Sequence, residues 1–130
     1  MNPSFGLNRT FADATLSQAR ERIVESLKKE GFGVLTEIDV QATLKKKIDV
    51  DFQPYVILGA CNPPIAHKAL SADPGIGLLL PCNVVVTETK DGAVVSIIKP
   101  EAMFQMVDNP DLQPMVEEIT KKLTSALENA

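Results

Sequence analysis

Residues 82–99 read CNVVVTETKDGAVVSIIK, two runs rich in Val, Ile and Thr that are joined by Lys90-Asp91-Gly92. β-Branched residues favour strands, and an Asp-Gly pair between two such runs is a strong signal for a β-hairpin. Pro100 follows the second run and ends it, because proline has no N–H to donate to a sheet. The segment therefore predicts two adjacent antiparallel strands.

Three stretches upstream of this hairpin also have the pattern of strands. Residues 55–60 form an apolar run between Pro54 and Pro63 that is too short for a helix, which is typical of a buried strand. Residues 32–38 and, with weaker alternation, residues 5–9 predict two more. The sequence thus predicts about five strands in a sheet that is at least partly antiparallel.

A first long helix is predicted over residues 11–30. It has two candidate starts, Thr10 followed by Asp13 and Thr15 followed by Gln18, and each pair has the spacing of a capping box. Gly31 is placed to end the helix in a left-handed conformation. The apolar stripe at helical spacing consists of Leu16, Ala19, Ile23 and Leu27.

A second long helix is predicted at the end of the chain. We expect Asp111 rather than Asn109 to cap it, because a cap at Asp111 places Pro114 in the first turn, where a missing N–H is tolerated. The apolar stripe of this helix consists of Leu112, Met115, Val116, Ile119, Leu123 and Leu127. Short helices are predicted over residues 40–47, from Pro64 to before Asp73, and over residues 101–107.

This order of elements predicts one domain, residues 1–130, with a two-layer α+β fold. The mostly antiparallel sheet of about five strands would carry both long helices on one face. At 14.1 kDa the chain has room for one domain, and its 45% apolar residues suffice for a core. Aromatic residues make up only 5%, so the core is predicted to be aliphatic.

Charge argues against nucleic acid as a partner. The net charge is −4, and the one basic run, Lys45-Lys46-Lys47, is flanked by Asp49 and Asp51. No apolar run is long enough to span a membrane, and the first residues lack the pattern of a secretory signal. We therefore expect a cytoplasmic protein, in which a Cys61–Cys82 disulfide would normally be reduced.

The dipeptide Cys-Asn occurs twice, at Cys61-Asn62 and Cys82-Asn83, and contains both cysteines of the chain. Each pair lies where an apolar run meets a turn, so the two thiols are either small buried side chains or part of a binding pocket. In the second interpretation the two pairs form the pocket together with His67. Cys61 precedes a helix start, which is one route to a reactive thiolate of lowered pKa.

Metal binding and catalysis have weaker support in the sequence. His67, the one histidine, follows Cys61 by six positions, and with Cys82 it makes three candidate ligands where a structural zinc site uses four. A Cys–His dyad has no support from spacing, and Gly75-Ile76-Gly77 has no following helix to hold a phosphate. The metal and the cofactor, if any, are not defined by the sequence.

The segment 102–107, Ala-Met-Phe-Gln-Met-Val, is predicted either to pack in the core or to form an apolar surface patch. Two long helices already suffice to cover the sheet, so this segment is a candidate for contact with a second subunit. A C2 homodimer would be the commonest arrangement.

Three motifs resemble the Domain of Unknown Function 302 family. They are Gly31-Phe32-Gly33-Val34, the segment LGACNP at 58–63 and the segment GLLLPCNVVV at 77–86. The resemblance implies a TATA-binding-protein-like fold of order β-α-β(4)-α and is compatible with dimers. It implies no established activity.

These observations lead to two functional hypotheses. The first is a cytosolic homodimeric module without enzymatic activity that binds a small molecule or a protein through Cys61, Asn62, His67, Cys82 and Asn83. The alternative is a thiol-based redox or metal-binding protein that uses Cys61, Cys82 and His67. No motif identifies a reaction, and neither hypothesis involves nucleic acid or a membrane.

Overall fold

A computed structural model describes all 130 residues and shows five antiparallel strands in one sheet, in the order β1-β5-β4-β3-β2. The strands are β1 (Gly6–Phe11), β2 (Gly33–Asp39), β3 (Tyr55–Cys61), β4 (Cys82–Thr89) and β5 (Gly92–Ile98). The predicted α+β class is therefore confirmed.

Five α-helices accompany the sheet. They are α1 (Leu16–Lys29), α2 (Val40–Ile48), α3 (Pro63–Ala72), α4 (Pro100–Met103) and α5 (Gln113–Glu128). Two 3-10 helices, Pro74–Leu79 and Pro110–Leu112, precede β4 and α5. None of the helices combines the length and the apolar character that crossing a lipid bilayer requires.

The hairpin between β4 and β5 forms as predicted, with Thr89 opposite Gly92. Gly92 has φ +123°, a conformation that L side chains rarely adopt, and a Cβ there would overlap the carbonyl oxygens of Phe11 and Ala12. Glycine is required at this position because the turn brings it against the end of β1.

The start of α1 differs from the prediction over residues 11–30. Thr15 and Gln18 form the capping box, and Phe11 is the last residue of β1, where it is buried. Phe11 belongs to the strand because it pairs with Ala93 of β5, and its buried ring lies under the guanidinium group of Arg22 in α1, at 4.5 Å. Such contacts between distant elements are not visible in a local helical pattern.

The start of α5 also differs. Neither Asp111 nor Asn109 caps it: the residue before α5 is Leu112, which makes no capping hydrogen bond with its side chain. Asn109 caps the preceding 3-10 helix, because its side chain accepts a hydrogen bond of 3.0 Å from the Asp111 N–H. The 3-10 helix Pro110–Leu112 separates this cap from α5, so Pro114 still lies in the first turn of the α-helix. The predicted helix over residues 101–107 is limited to α4.

Both long helices pack on the same face of the sheet and form a core of 23 buried residues with it. The strand positions on this face include Val56, Leu58 and Ala60 of β3, Val84 and Val86 of β4, and Val95 and Ile97 of β5. The opposite side of the sheet, here called the open face, is covered by neither α1 nor α5. Strand side chains alternate between the two faces, so the open face carries Tyr55, Ile57, Asn83, Val85, Ser96 and Ile98.

Candidate functional site

A cavity of about 520 Å³ lies on the open face and is referred to as the open-face cavity. Its floor is formed by side chains of the three central strands, namely Tyr55, Asn83, Val85, Ser96 and Ile98. Residues of the N-terminal segment 1–6 form one wall, residues 78–81 form the other, and Met103 also contacts the space.

The wall at residues 78–81 lies against the sheet because Gly59 has no side chain. A Cβ at Gly59 would come within 2.6 Å of the Pro81 Cγ, so any larger residue would push this wall away. The 3-10 helix Pro74–Leu79, whose last two residues belong to the wall, is capped by Asp73, whose carboxylate accepts a 2.8 Å hydrogen bond from the Gly75 N–H. The wall is thus held at both of its ends.

The N-terminal wall is held by Asn8 of β1. Its amide donates to the carbonyl oxygens of Pro3, at 2.9 Å, and Gly6, at 3.1 Å. The hydroxyl of Ser96 donates in turn to the Asn8 side-chain oxygen. This chain of hydrogen bonds connects the floor of the cavity to its wall.

The polar side chains that line the cavity are few and uncharged. No lining side chain is ionic, and nine of the 14 lining residues are hydrophobic. The Tyr55 hydroxyl and the Asn83 amide form no hydrogen bond within the chain. Tyr55 is opposite Thr87 and Asn83 is opposite Gly59, so the two are four residues apart along β4, or about 13 Å. The cavity therefore offers a hydrogen-bonding group near each end of an apolar surface.

The structure brings together the two cysteines that the sequence singles out. Cys61 and Cys82 line the same small apolar space of about 20 Å³, beside Phe32 and Ile65. Cys82 is buried and Cys61 is half-buried. This space has about the room that one water molecule needs, so the thiols do not line a ligand-sized pocket.

Burial makes both thiols weaker acids. It raises the pKa of Cys61, and burial together with the neighbouring Cys61 raises the pKa of Cys82 to about 11. Both groups are consequently protonated at neutral pH. The helix start after Cys61 does not produce the lowered pKa that the sequence made possible, because desolvation outweighs it.

Of the other three predicted site residues, Asn62 lines the same small space as the cysteines, whereas His67 and Asn83 do not. Asn62 caps α3, accepting from the Ile65 N–H at 3.3 Å and donating to the Glu30 carbonyl oxygen at 3.4 Å. His67 is exposed on α3. Asn83 lies in the open-face cavity. No group of three or more His, Cys, Asp or Glu side chains is arranged to hold a metal ion.

Residues 8–130 match the family described as Domain of unknown function DUF302. The chain belongs to this family. A crystal structure of an uncharacterized conserved DUF302 protein from Bacillus stearothermophilus has the same fold, with a TM-score of 0.89, 33% sequence identity and 98% of each chain covered. No curated protein matches the chain.

The DUF302 resemblance in the sequence is thus confirmed, but the sequence does not predict most of the cavity. Its pattern predicts Tyr55, Val85, Ser96 and Ile98 only as strand residues. The signal that would have found the strands that carry them is apolar character on successive positions in residues 55–60, 84–86 and 93–98, which Ser96 alone interrupts in the last run. Strands of that kind are apolar on both faces, whereas a sheet with one solvated face alternates.

Proposed function

We propose that this DUF302 chain is a cytosolic, homodimeric and non-enzymatic module that binds a small, uncharged and mainly apolar molecule in the open-face cavity. The observation that carries the proposal is the cavity itself. Its volume of about 520 Å³ lies within the range of small-molecule sites, and its lining is apolar with a few polar groups. Of the predicted site residues, Asn83 contributes directly.

The lining supports an uncharged ligand. A carboxylate or ammonium group entering this space would lose water without gaining a side chain of opposite charge, which is costly. An uncharged molecule with a hydroxyl, carbonyl or amide group could hydrogen-bond to Asn83 or Tyr55. The spacing of about 13 Å between these residues along the strands favours an elongated molecule with one such group at each end.

The same lining supports a role in binding rather than catalysis. The cavity contains no carboxylate, imidazole, thiol or ammonium side chain for acid–base chemistry. Ser96 has no base beside it, because its hydroxyl donates to an amide oxygen, and an unactivated hydroxyl is a weak nucleophile.

The test uses the neutral fluorescent probe N-phenyl-1-naphthylamine, titrated into the wild-type protein. We expect saturable binding that decanol reverses and that decanoate or decylammonium reverses far less. Asn83→Trp places a large side chain in the cavity from an exposed position and should weaken probe binding about tenfold or more, that is by about 1.4 kcal/mol or more.

Thr10→Trp is the matched control, because Thr10 is exposed on the same face and lies outside the cavity. It should bind the probe as the wild type does. Absence of saturable binding to the wild type, or equal binding to both tryptophan variants, would refute the proposal.

The thiol alternative has one supporting observation, which is that Cys61 and Cys82 lie beside the same space. Their raised pKa values argue against it, since a reactive cysteine needs a thiolate near neutral pH. Alkylation with iodoacetamide distinguishes the two hypotheses. Rapid labelling of either cysteine in the folded protein at neutral pH would favour the thiol function.

A further inference from the structure

We infer that Ser96 determines the specificity of the open-face cavity, because its hydroxyl oxygen is an acceptor that selects ligands with a hydroxyl or N–H group. The inference rests on the proposed function and deepens it by naming the polar group that the ligand carries. Ser96 lies in the middle of β5 and forms part of the cavity floor. It is only 7% exposed, so its hydroxyl depends on the protein and the ligand for hydrogen bonds.

The orientation of the Asn8 amide decides how the Ser96 hydroxyl is used. Asn8 of β1 lies directly opposite Ser96 of β5. The Asn8 Nδ2 lies 2.9 Å from the carbonyl oxygen of Pro3 and 3.1 Å from that of Gly6. A carbonyl oxygen can only accept, so both bonds require the amide NH2 group, which has two hydrogens to donate. The amide oxygen Oδ1 is thereby the atom that faces Ser96.

The Asn8 oxygen in turn fixes the direction of the Ser96 hydroxyl. An amide oxygen has no hydrogen, so the hydrogen bond between these two side chains requires Ser96 to donate. The Ser96 hydroxyl has a single hydrogen, and this bond uses it. Its oxygen therefore has only lone pairs left for a ligand, and the cavity floor offers an acceptor at this position but no donor.

The backbone of β1 accommodates this hydrogen bond at Gly6. A Cβ at Gly6 would lie 2.6 Å from the Ser96 Oγ and 2.8 Å from the Asn8 Oδ1, closer than real Cβ atoms approach other atoms. Glycine at this position leaves the space in which the two oxygens meet. The direction of the Ser96 hydroxyl is thus a consequence of how β1 packs beside β5.

Ser96 differs in this respect from the other two polar side chains of the floor. The Asn83 amide contains both a donor and an acceptor, and the Tyr55 hydroxyl can act as either. These two groups can therefore bond to a ligand alcohol, ether or carbonyl alike. Ser96 is the group that distinguishes a ligand donor from a ligand acceptor.

The strand register places Ser96 between the two ends of the floor. Ser96 is opposite Val85 of β4, which is two residues from Asn83. Val85 is also two residues from Thr87, the residue opposite Tyr55. The spacings within a sheet put Ser96 about 8 Å from Asn83 and about 12 Å from Tyr55. A ligand oriented by Ser96 is therefore close enough to bond to either of the other groups as well.

The ligand class follows from this acceptor. An ether, ester or ketone oxygen placed at Ser96 would face another oxygen and would lose its hydrogen bonds to water without replacement, which is costly. A hydroxyl or N–H group would instead donate to Ser96 and extend the chain of hydrogen bonds that runs through Asn8 to the N-terminal wall. The cavity thus selects uncharged alcohols or amides over ethers and esters of the same size.

Competition between two isomers tests the inference. Decan-1-ol and 1-methoxynonane contain the same atoms, but only the alcohol has a hydrogen to donate. In displacing N-phenyl-1-naphthylamine from the wild type, the alcohol should show an affinity about fivefold higher or more, the effect of one hydrogen bond. Burial of apolar surface alone predicts the opposite order, because the ether gives up fewer hydrogen bonds to water on binding.

Ser96→Ala should lower the ratio of the alcohol affinity to the ether affinity by about fivefold or more. The substitution removes neither of the bonds from Asn8 to Pro3 and Gly6, and the affinity for the ether reports any change in cavity shape. Asn83→Ala and Tyr55→Phe are the matched controls. They should keep the wild-type ratio, because the side chains that they alter can bond to either isomer.

The outcomes separate this inference from the proposed function. If the probe binds but the wild type does not prefer the alcohol, the inference is overturned and the binding function stands. The same holds if Ser96→Ala keeps the preference, or if Asn83→Ala or Tyr55→Phe loses it instead. A wild type that shows no saturable binding of the probe would overturn both.

Discussion

Pro81 packs directly onto Gly59, at a distance that leaves no space for even a single methyl group on the strand. A Cβ at Gly59 would lie 2.6 Å from the Pro81 Cγ and would also meet the Thr36 hydroxyl. This contact joins the wall of the open-face cavity to β3. A substitution at Gly59 therefore tests both the stability of the fold and the position of the wall.

Gly59→Ala should destabilise the protein by about 1–3 kcal/mol, the usual cost of inserting a methyl group into a packed site. It should also weaken probe binding, because the wall must move. Gly33→Ala is the control, since a Cβ at Gly33 on the neighbouring strand would meet no atom within 4 Å. Urea unfolding measures both variants, and equal stability of the two would contradict the role of Gly59.

Arg9→Ala should destabilise the protein by about 1–3 kcal/mol, because it removes hydrogen bonds from a charged group. The Arg9 guanidinium donates to the carbonyl oxygens of Leu127, at 2.7 Å, Glu128 and Ala130, and stacks on Phe11 at 4.3 Å. Hydrogen exchange should accelerate at residues 125–130. Arg9→Lys should recover only part of the stability, since lysine lacks the planar guanidinium that stacks on Phe11. If Arg9→Lys were as stable as the wild type, the positive charge alone would account for the contribution of Arg9 to stability.

Stability should decrease with rising pH between about pH 9 and pH 11 as a result of Cys82. Its pKa is raised from 9.0 to about 11 in the folded chain, so the unfolded chain loses this proton first and alkaline pH favours unfolding. Each pKa unit is worth about 1.4 kcal/mol, which gives a loss of about 2–3 kcal/mol by pH 11.

Urea unfolding of wild type and Cys82→Ala across this range isolates the cysteine, because the lysines and Tyr55 are common to both proteins. The stability difference between them should become smaller as the pH rises from 9 to 11. A difference independent of pH would show that the thiol is not desolvated. Below pH 8 the contribution of Cys82 should be constant.

Asn62→Ala should cost about 1 kcal/mol of stability, since it removes the N-cap of α3. Asn62→Asp keeps the acceptor for the Ile65 N–H but cannot donate to Glu30, so it should be intermediate. His67→Ala, on the exposed surface of the same helix, should be within about 0.5 kcal/mol of the wild type. Thermal unfolding compares the three, and a large effect of His67→Ala would indicate a contact beyond the single chain.

Sequence reasoning succeeded where the signal is local. The Asp91-Gly92 turn, the Thr15–Gln18 capping box and the end of α1 at Gly31 each depend on a few neighbouring residues. It failed where a distant element decides. Phe11 joins β1 because it pairs with β5 and its ring packs under Arg22 of α1. The last helix begins without a capping side chain, because a 3-10 helix capped by Asn109 leads into it.

The candidate site shows the same division. The two cysteines lie beside the same space, as the sequence suggested. Cys82 of β4 pairs with Ala60 of β3, and Cys61 is the residue after Ala60. The Cys82-Asn83 pair does not act as a unit, however, since successive side chains in a strand point to opposite faces. Cys82 is therefore buried on the core side, and Asn83 lies in the open-face cavity.

The order of residues by itself determined the fold class, the family and the hairpin, because each follows from patterns of polarity and turn chemistry along the chain. Only the tertiary structure decided where the open-face cavity lies. The open-face cavity combines three strands, the first six residues and residues 78–81, and strand register and the packing of Pro81 on Gly59 place these segments together. Register is set by contacts between distant segments, so no local pattern could have located the cavity.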